Sequence, residues 1–334
     1  MIPATVVIVN YNGGDAIQQS LLALARQTRP HDTLIVDNAS TDGSVRRIRD
    51  RFPSVQILPL RRNVGFARAV NIAAARIQHD GALITLNPDT VPVPTFVESL
   101  VEPLANDARL ASTAGTLVFA SNPLIVASAG IRVHRNGVAL DDRLGEPFDD
   151  RDTSLRPVFG ASGGAAAYRL SAYRAVGGLP EPFFLYLEDV DLAWRLRLHG
   201  WESVNVSAAV ATHAYSASSI EGSPFKRRLL ARNRIWTLAR CLPKELWNRD
   251  RGAILAFDLL AVGHGTVTRD GASLPGRAAA NAGLPSRLRE RGDIHAGTVI
   301  DTGELETWIQ PALSPRRLLE LRRLTGRLAQ AGAH

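Results

Sequence analysis

The sequence predicts an α/β fold, a mostly parallel sheet flanked by helices, followed by a helical, basic C-terminal extension. Three observations carry this expectation. Over the first hundred residues, short β-branched runs alternate with stretches of helical period, the pattern of strands and helices laid in turn against one sheet. Each of the first four runs ends in polar, hydrogen-bonding residues. Residues 225–334 hold 19 Lys+Arg against 10 Asp+Glu, whereas the first 224 hold 20 against 22, so the excess positive charge belongs to the last third.

Taken in order, residues 4–9 (ATVVIV) are continuous, β-branched and short, as expected of a strand buried on both faces. Residues 15–27 follow with Ile17, Leu21 and Leu22 at helical spacing. Residues 33–36 form a second strand, 43–51 a second helix, 55–60 a third strand, 66–78 a third helix and 82–86 a fourth strand. Residues 110–180 read as irregular β-structure and loops, with a Gly/Ala-rich segment at 160–167. A helix over 188–199 is stopped by Gly200, a residue suited to the left-handed turn after a helix. Beyond 225 the chain reads as mostly helical, with breaks at Pro243, Pro275, Pro285, Pro311 and Pro315. The expected division is a domain over 1–224, in halves 1–110 and 111–224, and a separate Arg-rich region over 225–334.

Composition excludes several classes. The 334 residues are 45% hydrophobic with one cysteine, Cys241, which rules out an intramolecular disulfide framework and a multi-cysteine zinc site. Cys241 lies in an apolar stretch and reads as packing. Met1 leads straight into a strand-like run without a charged leader. The apolar run 253–262 is interrupted by Asp258 and too short to span a bilayer, so a cytoplasmic location is expected. No G-x-G-x-x-G follows the first strand and no P-loop is present, which argues against a dinucleotide-binding domain. The basic region lacks a nucleic-acid-binding motif and the interleaved aromatics of single-strand binders. Its charge fits an anionic membrane surface or a solvated Arg-rich face.

Ligands of parallel sheets bind at the carboxyl ends of the strands, and polar residues gather there in this sequence. The first strand runs into Asn10, Tyr11 and Asn12, and the second into Asp37 and the segment up to Ser44. Asp37 is placed to accept from a base or a ribose hydroxyl; Asp42 can instead cap the next helix. The third strand runs into Asn63, Gly65 and Arg68, and the fourth into Asn87 and Asp89. A carboxylate at Asp89 can bind a hard divalent cation that neutralises a diphosphate, or Asn-Pro-Asp-Thr can be only a turn. Glu188, Asp189 and Asp191 open a helix just after an aromatic stretch. Acids in a first turn suit the helix dipole, and Asp191 with Arg195 is an i,i+4 pair. A carboxylate near apolar walls can also act as a general base. His213 follows another apolar run and is a reasonable companion to Asp89 around Mg²⁺ or Mn²⁺.

Together the stretches VVIVNYN (6–12), VDNASTDGS (36–44), NVGFARAVN (63–71), LNPDT (86–90), GGAAAYR (163–169), 176–201 and ATHAYSAS (211–218) resemble family 2 glycosyltransferases of the GT-A fold, rhamnosyltransferase-like members in particular. The resemblance covers roughly residues 4–220. It implies a Rossmann-like nucleotide-binding first half and an acceptor-binding second half. Asp37 then matches the base-binding aspartate, with Asn10, Tyr11 and Asn12 lining the nucleotide pocket. Asn63, Gly65 and Arg68 match the segment that approaches the diphosphate. Asp89 matches the metal-binding aspartate of a D-x-D position whose first member is Asn87 here, and His213 matches a histidine of the metal shell. Asp189 matches the catalytic base supported by Glu188, with Asp191 the second choice. The implied reaction is inverting transfer by metal-assisted single displacement. A sugar passes from a nucleotide diphosphate donor, dTDP-L-rhamnose before UDP- or GDP-linked hexoses or galactofuranose, to a cell-envelope glycan or polyprenyl-diphosphate-linked acceptor. The basic region would lie against the inner face of the membrane. A sugar-nucleotide-binding protein without chemistry is the alternative of another class, and Asp89, Asp189 and His213 speak against it.

Overall fold

The buried first run becomes an interior strand of the sheet. In the computed structural model, which describes residues 2–214, 223–267 and 271–331, the chain passes through β1 (Ala4–Asn10), α1 (Ala16–Leu24), β2 (Asp32–Asp37), α2 (Ser44–Arg51), β3 (Gln56–Pro59), α3 (Phe66–Ala74) and β4 (Ala82–Leu86). β5 (Thr90–Pro92), α4 (Phe96–Asn106), β6 (Leu110–Phe119), β7 (Asn122–Ser128), β8 (Ile131–His134), β9 (Ala139–Asp141), β10 (Leu155–Pro157), β11 (Ala165–Arg169) and α5 (Leu170–Ala175) follow. After a 3₁₀ turn at Glu181–Phe183 come α6 (Glu188–Leu198), β12 (Glu202–His213), α7 (Pro224–Cys241), α8 (Lys244–Val267), α9 (Ser273–Ala296), α10 (Thr302–Thr307), β13 (Ile309–Gln310) and α11 (Pro315–Ala331).

The main sheet has the order β10-β12-β6-β11-β4-β1-β2-β3, with β5 on β12 and β7 on β6. Its first half, β4-β1-β2-β3, is parallel throughout. Antiparallel β11 then joins β4 to β6, and β6 pairs parallel with β12. The expected α/β sheet is present, parallel where the strand-helix alternation is clear and mixed beyond it. Strand periodicity sorts β1 cleanly: Val6 and Ile8 face the core under α1, α2 and α4, while Val7 and Val9 face the core under α3, α5 and α6.

Two regions depart from the expectation. Residues 110–119, expected as irregular, are a fully buried ten-residue strand, and α4 with its internal Pro103 was not anticipated. In the last third, Pro243 separates α7 from α8, but Pro275 and Pro285 lie within α9 and do not break it. A Cβ on Gly276 would meet the Arg228 carbonyl oxygen at 2.4 Å, and one on Gly283 would meet the Trp236 ring at 2.5 Å. Such close seating of α9 on α7 outweighs the missing N–H of Pro285.

The last third shares a core with the rest. Leu242, Leu246, Ile254, Ile294, Leu305 and Ile309 pack with Phe159, Val190, Trp194 and Leu198, and β13 adds a parallel strand to β8. Cys241 is buried in this core, as its apolar setting led us to expect. Residues 215–218 of the ATHAYSAS stretch lie outside the described residues.

Candidate active site

The loop after β1 is tied to the loop after β2. The buried Asn10 side-chain amide donates to Asp37 Oδ1 (3.1 Å), Ser40 Oγ (3.0 Å) and Ser44 Oγ (3.0 Å), and its oxygen accepts from the Gly13 N–H (3.1 Å). Asn12, at φ 55°, accepts from the Thr41 N–H at 2.8 Å. Asp42 accepts from the Ser44 N–H at 3.0 Å and the Gly14 N–H at 2.8 Å, so it closes the start of α2 and the first loop together. Asn38, which the sequence reading passed over, is buried and clasps the next segment: its oxygen accepts from the Val64 N–H (2.9 Å) and its amide donates to the Gly65 carbonyl (3.3 Å). Asn63 accepts from the Gly65 N–H at 2.9 Å. Gly65 sits at φ 84°, and a Cβ there would fall 2.5 Å from the Phe184 carbonyl oxygen, so only glycine lets the two segments touch.

A cleft of about 720 Å³ opens along these strand ends. Tyr11, Asn38, Asn63, Gly65, Asn87, Asp89, Glu188, Asp189 and His213 line it. Asn10, Asn12 and Asp37 are not among its lining residues and hold the loops that are. Arg68 is not brought in either; its guanidinium lies 3.6 Å from Glu181.

Two polar groups face one another across the Gly163–Gly164 dipeptide. On one side, His213 Nε2 lies 3.2 Å from Asp89 Oδ1 and 3.4 Å from the Asn87 amide nitrogen. The strand pairing of Thr90 with His213 sets this contact. A carboxylate beside an imidazole suits Mn²⁺, and Mg²⁺ is commonly held by one or two carboxylates plus substrate phosphates. Among the described residues no group of three or more His, Cys, Asp and Glu could hold a metal. A divalent cation held by this pair would take its remaining ligands from outside these two side chains.

On the other side stands the start of α6. Asp189 Oδ2 accepts from the Gly163 N–H and Oδ1 from the Val190 N–H, both at 2.8 Å. The Gly164 carbonyl accepts from the Asn87 N–H at 2.9 Å, so the dipeptide spans both halves. Burial pushes the Glu188 carboxyl well above the usual carboxylate range, and the Asp189 charge beside it acts the same way. Burial also raises Asp189, against the lowering pull of its N–H donors. Asp141 on β9, for which the sequence offered no signal, lines the same cleft. Burial lifts its carboxyl to about 6, with the Asp189 charge adding to the rise and a Ser128 hydrogen bond and Lys226 opposing it.

Asp191 is corrected from a second-choice base to a structural group. It is fully buried, with Arg195 Nε 2.7 Å from Oδ1 and Arg240 Nε 2.7 Å from Oδ2. Against the upward push of burial, these two guanidiniums hold its carboxyl below the ordinary range. The expected i,i+4 pair is present at Oδ1, and Arg240 commits the other oxygen.

The approach to α6 is strained. Phe184, Tyr186 and Leu187 have φ of 69°, 69° and 64°, a region that non-glycine residues rarely adopt. Asn233 of α7 holds the segment, donating to the carbonyls of Phe183 (3.1 Å), Leu185 (3.0 Å) and Tyr186 (2.7 Å). Arg232 adds a bond to the Phe183 carbonyl at 2.8 Å. The basic region thus builds the site: Lys226, Arg227, Arg234, Arg277 and Arg322 line the cleft as well.

A half-parallel sheet with this cleft at its strand ends is the architecture of a GT-A glycosyltransferase. The chain belongs to glycosyl transferase family 2, whose family model matches residues 5–177. It is 32% identical over 231 residues to the N-acetylglucosaminyl-diphospho-decaprenol L-rhamnosyltransferase of Mycobacterium tuberculosis, covering 62% of this chain and 75% of that one. It is 26% identical over 218 residues to the O-antigen chain rhamnosyltransferase WbaN of Salmonella anatum, covering 64% and 66%. Among solved structures, GalNAc-T7 with UDP, GalNAc and Mn²⁺ aligns with a TM-score of 0.64 at 14% identity, over 88% of this chain and 55% of the other. The mannosyltransferase PcManGT of Pyrobaculum calidifontis with GDP-Man and Mn²⁺ aligns at 0.50 and 17% identity, over 99% and 85%. The expected rhamnosyltransferase-like membership of this family is borne out, and the protein is a glycosyltransferase.

Proposed function

We propose that the protein transfers L-rhamnose from dTDP-L-rhamnose, with inversion at the anomeric carbon, to a polyprenyl-diphosphate-linked sugar or a related cell-envelope glycan. The observation that carries this reading is Asp189, fixed by two backbone N–H groups, raised by burial and lining the same cleft as Asp89 and His213. An acceptor hydroxyl held at Asp189 gives up its proton to the carboxylate as its oxygen bonds to the anomeric carbon from one face. The bond from that carbon to the donor phosphate breaks on the opposite face, and the diphosphate leaves with the electron pair. Asp89 and His213 would hold a divalent cation, which supplies charge neutralisation for the departing diphosphate. Lys226 and Arg227, at the start of α7, add fixed positive charge to the same cleft. Tyr11, Asn38 and Asn63 border the nucleotide end, and Asn10 and Asp37 brace it. The mycobacterial and Salmonella relatives, both named as rhamnosyltransferases, support the sugar. Among the described residues no helix is long and apolar enough to cross a membrane. A lipid-linked acceptor would be met at the inner face of the membrane.

Calorimetry with dTDP-rhamnose, UDP-sugars and GDP-sugars, each with and without Mn²⁺, tests this. The expected result is Mn²⁺-dependent binding of dTDP-rhamnose, weakened in Asp89→Ala and kept in Asp189→Asn, with turnover of the latter down about 10²–10⁴-fold. Binding of a UDP- or GDP-hexose instead would replace the donor. An Asp189→Asn variant that turns over normally would remove the base.

A further inference from the structure

The acid that interrupts the apolar run of α8 is turned inward. From Gly252 to Val267 the only Asp, Glu, Lys or Arg is Asp258. Its carboxylate pairs with Arg234 at 2.9 and 3.0 Å and with Arg277 at 3.2 Å, and Ile254 and Gly265 are buried along the same helix. Away from these buried positions the helix is apolar and open: Leu255 is 51% exposed, Leu259 73% and Val267 84%. At 100° per residue these three fall within an arc of about 120° that is free of charge from Gly252 to Val267. Single exposed leucines are ordinary, but a contiguous uncharged strip of them marks an interaction surface.

Two observations choose its partner. The strip belongs to the basic region, where residues 225–334 hold 19 Lys+Arg against 10 Asp+Glu. A second copy docked here would set like charge against like, whereas an anionic lipid surface would be attracted. The strip is also continuous with the cleft, because Phe257, Leu260 and Ala261 on the adjoining side of α8 line the cavity that contains Asp189. The helix α11 contributes Leu318 and Leu321 to the same lining, and its Arg316, Arg317 and Arg323 are exposed. We propose that the outward face of α8 lies in the interfacial layer of an anionic bilayer, with Leu255, Leu259 and Val267 inserted, and opens the apolar wing of the cleft toward the lipid. The helix lies on the membrane and does not span it. Delivery of a lipid-linked acceptor along this wing rests on the functional reading above; insertion of the helix does not.

Sedimentation of the full chain with vesicles of phosphatidylcholine, with and without phosphatidylglycerol, tests the proposal. Wild type is expected to bind the anionic vesicles, and Leu255→Glu/Leu259→Glu to lower the bound fraction at least about tenfold. Neither residue lines the cleft, so the double variant is expected to keep the wild-type melting temperature and donor turnover. Absence of wild-type binding to anionic vesicles, or equal binding by the double variant, would overturn it. So would a wild-type dimer that the double variant dissociates, since a second copy would then cover the strip. A protein that binds vesicles through α8 and does not turn over dTDP-rhamnose would sink the transfer proposed above and leave this inference standing.

Discussion

Glu188 and Asp189 are neighbours in sequence with unequal anchorage. Asp189 has two backbone N–H donors, whereas Glu188 Oε2 is buried without a partner. A carboxyl whose pKa rises on folding stabilises the fold only while protonated, and that contribution is lost as pH climbs from its ordinary value, 4.5, toward the raised one. Glu188→Gln cannot ionise and escapes this loss. Its melting temperature is expected to match wild type near pH 4 and to exceed it by a few degrees near pH 8, with the gap widening in between. Melting curves for the two proteins that stay parallel across this range would show that Glu188 is not held in a charge-averse site. The sequence alone marked Glu188, Asp189 and Asp191 at the helix start. Only the family resemblance ranked Asp189 above Asp191 there, because Arg240, which neutralises Asp191, lies 49 residues further along. Asp141 was invisible for the same kind of reason: its position in the cleft follows from the pairing of β8 and β9.

At the scale of elements, legibility follows the range of the forces. The first four strands and three helices were readable within a few residues because period-2 and period-3.6 burial is written locally. The strand at β6, continuous with small and hydroxyl residues, and α9 with its internal proline were not, because packing against distant partners decides them. The strained segment before α6 is the case with functional weight. Residues with positive φ cost about 1–3 kcal/mol each unless their surroundings hold them, and here the holder is a side chain 47 residues away from Tyr186. Asn233→Ala leaves three carbonyls without that donor and frees the segment that aims Glu188 and Asp189. A fall in kcat of about 10²-fold is expected from such misplacement. The donor KM is expected to change little, since Tyr11, Asn38 and Asn63 sit on other elements. A KM effect without a kcat effect would show that Asn233 serves donor binding and not the aim of α6.

For the whole molecule, the question is whether residues 1–223 can stand without the basic region. The composition shift near 225 suggests a boundary, and the family model ends at 177, yet the physical ties run across it. Asp191 would lose Arg240 and keep a buried charge with one guanidinium; breaking a buried pair costs about 3–5 kcal/mol. Phe159, Val190 and Trp194 would lose the apolar residues of α8, α9 and α10 that cover them, and β8 would lose β13. Losses of this size approach the total stability of a domain, about 5–15 kcal/mol. A chain ended after Ser223 is therefore expected to be insoluble, or to lack a cooperative thermal transition. Ending the chain at Leu313 removes α11 alone and should preserve cooperative melting, because the core shared with α6 survives. A 1–223 chain that melts cooperatively and binds nucleotide sugar would mean that the basic region is an appendage to the catalytic unit. The opposite result would mean that the helices carrying the positive charge belong to the core on which the rest of the fold depends.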